Sequence, residues 1–124
     1  MSDTDVRREE MVRQQIAARG ISDLRLLGAM REVPREAFLP PWLEEFAYDD
    51  TPLSIEEGQT ISQPYIVAAM IDVVHPGPGD RVLEIGTGSG YAAAVLSRLA
   101  GTVHTVERHE SLAVTATERL ANLG

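Results

Sequence analysis

Cysteine is absent from the 124 residues, which excludes disulfides, thiolate nucleophiles and cysteine-ligated zinc. Basic residues are scarce: 11 Lys and Arg stand against 19 Asp and Glu, a formal charge of −8. No stretch gathers the cations into a stripe, so no nucleic-acid partner is expected. No apolar run approaches the roughly 20 residues of a membrane span. The first residues, Met1 to Asp5, lead into no apolar segment, and Arg7-Arg8 is followed by Glu9-Glu10. A signal peptide and a membrane partner are therefore not expected, and the cytoplasm is the expected location. The three histidines, His75, His104 and His109, form no helical pair, so no metal site is expected.

What is present suits a globular chain: 44% hydrophobic and 24% charged residues, in a length that fits one domain and not two. Residues 1–57 read as a helical region. Val6, Met11, Val12 and Ile16 recur loosely at helical spacing until Gly20 stops the helix. Ser22 is the expected cap of a second helix, with Leu26, Leu27, Met30 and Val33 on its apolar face and Pro34 ending it. Pro40-Pro41 opens a helical turn carrying Trp42 and Phe46, both expected in the core. In residues 58–76, Ser62 or Gln63 stands at the entrance of a helix and Pro64 in its first turn. Ile66, Val67, Met70, Val73 and Val74 form its expected apolar face.

The pattern changes in residues 77–124. After the turn signal Pro76-Gly77-Pro78-Gly79-Asp80, Arg81 to Ile85 reads as a short apolar strand. Gly86-Thr87-Gly88-Ser89-Gly90 follows at once, then a helix over 91–100, a strand over 102–107 and a helix over 111–123. Strand, glycine loop, helix, strand, helix opens a doubly wound, Rossmann-like parallel sheet, so the fold class is α/β. Two strands are fewer than such a sheet needs. The expectation is an N-terminal portion of a longer protein, with an apolar sheet edge open to self-association.

Gly86, Gly88 and Gly90 let the backbone turn sharply and approach a ligand, with Thr87 and Ser89 between them. Dinucleotide sites favour G-x-G-x-x-G with a pyrophosphate at the helix start; this loop is G-x-G-x-G. Glu84 lies two residues before it, suiting a ligand with a cationic amino group and no phosphate. S-adenosylmethionine fits that description. Glu107, seventeen residues after Gly90, stands where an acid can accept both ribose hydroxyls.

Gly58-Gln59-Thr60-Ile61-Ser62-Gln63-Pro64-Tyr65, followed by Val82 to Tyr91, resembles the protein-L-isoaspartate O-methyltransferase family. The likeness extends upstream to Ala18-Arg19-Gly20-Ile21 and to Val33-Pro34-Arg35-Glu36-Ala37-Phe38, so it covers nearly the whole chain. The glycine motif is shared by many methyltransferases, whereas the segment from Gly58 to Tyr65 is much more specific. The resemblance implies S-adenosylmethionine as methyl donor and S-adenosylhomocysteine as product. It implies L-isoaspartyl, and often D-aspartyl, residues of damaged peptides and proteins as acceptors. It places Ser62 in the active site, with Thr60 beside the cofactor. A carboxylate acceptor is already ionised near neutral pH, so the chemistry asks for alignment and not for a general base.

Two other readings stay open: a methyltransferase of the same fold with another carboxylate acceptor, and a noncatalytic fragment that binds an adenosyl ligand or a partner. Asp49-Asp50 and Glu56-Glu57 read as solvated turn charges. His104 and His109 have no partner visible in the sequence.

Overall fold

Ser2 starts the first helix, α1 (Asp3–Met11), through a capping box: its hydroxyl accepts the Asp5 amide while the Asp5 carboxylate accepts the Ser2 amide. The structure, a computed structural model, describes residues 2–123. The expected single helix to Arg19 is three pieces, because α1 widens into a π-helical stretch, Val12–Ile16, and then tightens over Ala17–Arg19. Met11, Val12 and Ile16 all stay buried through that change of pitch.

The second helix, α2 (Leu24–Glu32), is capped by Asp23, whose carboxylate accepts the Arg25 amide. Ser22 is not the cap. Leu26, Leu27, Met30 and Val33 are buried as expected. Trp42 and Phe46 depart from expectation. Both sit on a 3-10 turn, Pro41–Phe46, and Trp42 is 70% exposed; so short a turn offers too little inward surface to bury them along with Leu43.

Two short strands, β1 (Leu53–Ser54) and β2 (Thr60–Ile61), pair antiparallel and close the loop between them. No sequence pattern announced them. β2 delivers the chain to α3 (Pro64–Val74), with Gln63 at its cap position and Pro64 in its first turn. This helix is apolar on nearly every side, so periodicity misidentified its inner face. Val67, Ala68 and Ile71 are buried, whereas Ile66, Met70, Val73 and Val74 are exposed.

β3 (Arg81–Ile85) and β4 (Thr102–Val106) are parallel in register, Glu84 opposite Thr105. The helix α4 (Tyr91–Ser97) connects them, and α5 (Glu110–Leu123) follows. Strand alternation leaves Leu83, Ile85 and Val106 exposed while Val82 and Val103 pack on the core. One core serves all of this: Met11, Met30, Phe38, Ile71, Val95 and Leu112 belong to the same buried cluster. Among the described residues, no helix is long and apolar enough to cross a membrane.

Candidate active site

Tyr91, the first residue of α4, is fully buried with Phe38 edge-on to its ring at 6.0 Å. Burial pushes its hydroxyl pKa up to about 12. The glycine loop rests on this contact. A Cβ on Gly90 would come within 3.3 Å of Ala116 and 3.5 Å of Phe38, at a φ of +93°. Gly90 is therefore glycine for packing as much as for turning. Gly88 differs: its φ is +56° and a Cβ there would meet nothing within 4 Å. It faces open space.

Most of the loop's amides are already engaged. Gly86 and Thr87 donate to the Val106 carbonyl at 2.8 and 3.1 Å. Gly88 donates to Glu107 Oε1 at 2.8 Å, Gly90 to the Thr87 carbonyl at 3.0 Å, and Tyr91 to Ser89 Oγ at 3.2 Å. A pyrophosphate site needs such amides free and convergent. This loop is built on its own acceptors and on β4.

Glu107 receives the His109 amide on its other oxygen at 3.0 Å. These two bonds, from His109 and then Gly88, hold its carboxyl below the usual range. Each oxygen keeps a lone pair for a further donor. Glu84 has the opposite environment: burial pushes its pKa up, and its principal stabilisation is a 2.7 Å bond from Thr105 Oγ1. Thr105 has one proton and gives it to Glu84, so the Thr87 hydroxyl, 2.5 Å away, donates to Thr105. The relay Thr87–Thr105–Glu84 went unseen in the sequence. Thr105 lies directly across from Glu84 on the neighbouring strand, a register that only the folded structure reveals.

Two hollows flank the loop. One, of about 390 Å³, lies between Thr60 to Ser62 with α3 and the end of β3 with Gly86 to Ser89; Glu84 lines it. The other, of about 500 Å³, shares Thr60, Ile85, Gly86 and Gly88 and extends to Glu107 and His109. The structure thus brings Thr60, Ser62, Glu84, Gly86, Thr87, Gly88, Ser89 and Glu107 to two adjoining hollows. Gly90 lies behind them, packed against Phe38 and Ala116.

Ser62 is exposed in the wall of the first hollow and does not cap α3. Its segment is held from two sides. Gln63 Nε2 donates to Asp50 Oδ1 at 2.7 Å, and Asp50 is also paired with Arg19. Arg35, which is 0% exposed, donates to the Ser62 carbonyl from Nη2 at 3.0 Å and to the Ala47 carbonyl from Nε at 2.7 Å. Asp50 is therefore a structural partner and not only a solvated charge. Glu57 likewise accepts the Ser111 hydroxyl at 2.8 Å, and one of its carboxylate oxygens lies 3.9 Å from His109 Nδ1.

Away from these hollows, Asp23, Asp72 and His75 place ligand-capable atoms within 4.8 Å of one another. Asp23 there caps α2, and His75, at a left-handed φ of 52°, caps α3.

Residues 6–124 match the family model described as protein-L-isoaspartate (D-aspartate) O-methyltransferase. The chain is 62% identical over 117 residues to protein-L-isoaspartate O-methyltransferase 1 of Rhodopseudomonas palustris (strain HaA2), covering 94% of this chain and 48% of that protein. It is 58% identical over 120 residues to protein-L-isoaspartate O-methyltransferase 2 of Pelobacter propionicus, covering 97% and 53% respectively. The chain thus spans about half the length of these curated relatives. A solved protein-L-isoaspartate O-methyltransferase superposes with a TM-score of 0.83 at 36% identity, over 94% of this chain and 39% of that one. A Plasmodium falciparum structure assigned to the same activity, in complex with S-adenosyl-L-homocysteine, gives 0.77 at 26%, over 93% and 55%. The α/β methyltransferase architecture expected from the glycine loop is the observed one, and the chain belongs to the protein-L-isoaspartate (D-aspartate) O-methyltransferase family.

Proposed function

We propose that this chain forms the donor-binding and acceptor-positioning part of an S-adenosylmethionine-dependent protein carboxyl methyltransferase acting on L-isoaspartyl and D-aspartyl residues of damaged proteins. The observation that carries the reading is the pairing of two carboxylates with a glycine loop most of whose amides are spent. Glu84 and Glu107 line adjoining hollows, and the amides of Gly86, Thr87, Gly88 and Gly90 are already taken and not offered to a phosphate. Such a pair of acceptors fits a ligand with a cationic amino group at one end and a neutral adenosine at the other. When bound, that ligand supplies a methyl group on a sulfonium.

The chain's own residues do the rest. Glu84, held by Thr105, receives the ligand's ammonium group; Glu107 accepts the ribose hydroxyls while keeping Gly88 in place. The open space at Gly88 admits the ligand's body. Thr60 sits at the junction of the two hollows, beside the reacting methyl. Ser62 donates a hydrogen bond to one acceptor oxygen, which leaves the other to be aligned for attack. The apolar wall from Val67 to Val74 excludes water from that encounter.

The exposed Leu83, Ile85 and Val106 project from the sheet face turned away from the core, a surface for packing by further elements of the whole protein or by a second copy, while further strands would pair at the sheet's edges. The proposal includes a cytoplasmic setting. Calorimetry with S-adenosylmethionine, S-adenosylhomocysteine and NAD tests the donor assignment. Tight binding of the two adenosyl ligands and none of NAD is expected. Methyl transfer to an isoaspartyl peptide, assayed on the polypeptide expressed from its complete natural reading frame, tests the acceptor. Transfer to other carboxylates but not to that peptide would reassign it.

A further inference from the structure

Among the described residues, Arg35 is a buried cation with no counter-ion. Its side chain is inaccessible, and its partners are the carbonyls of Ala47 and Ser62. Its Nη1 is buried without a hydrogen bond of good geometry, and the guanidinium is supported beside it by the neutral Tyr91 side chain. The guanidinium carbon lies 5.0 Å from the centroid of the Tyr91 ring. Among the described residues no carboxylate pairs with it: Glu36, its chain neighbour, is engaged by Arg8 and the Tyr48 hydroxyl. A buried charge left unpaired is costly, and a partner is its usual remedy. Here the charge lies behind the Ser62 peptide, whose carbonyl it holds, and Ser62 in turn lines the hollow assigned above to the acceptor.

We infer that Arg35 is a positioning residue that favours an anionic acceptor at Ser62, acting through the Ser62 carbonyl and through its uncompensated charge. The inference rests on the functional reading just given, and it supplies a reason why that site takes a carboxylate. It also predicts where the effect shows. As the acceptor oxygen gains the methyl, the bonding pair stays with sulfur, so the carboxylate and sulfonium charges both vanish. A nearby cation therefore gives the transition state no more stabilisation than it gives the bound carboxylate. Arg35 contributes to acceptor binding and not to the rate of the chemical step.

The test uses the polypeptide from its complete natural reading frame, with Arg35→Met and Arg35→Gln as neutral variants and Arg35→Lys as the charged control. For the neutral variants, KM for an isoaspartyl peptide should rise roughly tenfold, the scale of one charge acting across a partly polar site. Their kcat should stay within about twofold and their adenosylhomocysteine affinity should be unchanged. Arg35→Lys should recover most of the loss in KM. Equal peptide KM in the parent and in either neutral variant that retains adenosylhomocysteine binding overturns the inference while leaving the function intact. If neither neutral variant folds, the parent decides. It should bind the isoaspartyl peptide roughly tenfold tighter than its isoasparaginyl amide, and equal binding overturns the inference. A parent that binds adenosylhomocysteine but methylates no isoaspartyl peptide refutes the functional reading, and the role of Arg35 with it.

Discussion

The amide of Gly88 donates to the carboxylate of Glu107 at 2.8 Å, so the residue proposed to read the ligand's ribose also holds the loop proposed to face that ligand. Glu107→Gln keeps the shape but exchanges one acceptor oxygen for a donor, and one of the two backbone bonds must be lost. Adenosylhomocysteine affinity should fall roughly tenfold, on the scale of one charge-assisted hydrogen bond. The Gly88 amide should also exchange faster with solvent deuterium. Calorimetry and exchange measured together check this; unchanged values for both would remove Glu107 from the site.

Glu84 should show opposite effects on stability and binding. Burial raises its folded-state pKa. Below the ordinary carboxyl range both folded and unfolded states hold the proton, and no penalty exists. Above the raised folded-state value the folded chain must bury the charge, and the penalty is complete. Glu84→Gln should therefore raise the melting temperature of the ligand-free protein by a few degrees at neutral pH, and by nothing in strong acid. The same variant should lose most of its adenosylmethionine affinity. In the parent, that affinity should decline as pH falls through the raised pKa.

Gly88 and Gly90 should separate binding from packing. Gly88→Val places a side chain in open space within the hollow and should abolish ligand binding. Its fold should lose about 1–2 kcal/mol, the cost of a left-handed non-glycine residue. Gly90→Ala presses on Phe38 and Ala116, and should lose about 1–3 kcal/mol of stability. Urea melts beside ligand titrations distinguish the two. Normal binding by Gly88→Val would reduce the loop to a turn.

Ser62→Ala should leave adenosylhomocysteine binding unchanged and lower kcat/KM for an isoaspartyl peptide by roughly tenfold, the worth of one hydrogen bond to a charged group. Steady-state kinetics measure this directly. An unaffected variant would return Ser62 to a purely structural place at the head of α3.

Wherever one local rule dominates, the sequence was readable. The glycine triplet, the strand before it and the acid after it follow from adjacency and strand alternation, and β3, β4 and α5 lie within a residue or so of expectation. Three features depend on what the chain meets in space, and these stayed hidden. The inner face of α3 was ambiguous because Ile66, Val67, Met70, Ile71, Val73 and Val74 leave little polar contrast around the helix. Arg35 was legible only as part of a motif, since its partners lie 12 and 27 residues away. Thr105 acquired its role through strand register, which two short apolar segments do not declare in advance.

The contact of Phe38 and Ala116 with Gly90 has a consequence for reading genetic variation in this protein. Neither residue touches a reacting atom, and Phe38 belongs to the stretch of sequence that carries no ligand chemistry of its own. Yet the loop stands on both of them. A screen that scores cofactor-dependent growth or labelling would place enlarged side chains at position 116, or a truncated one at position 38, among the binding-site alleles. Distance from the ligand would then be a poor guide to which alleles matter, and adjacency to the underside of the glycine turn a better one.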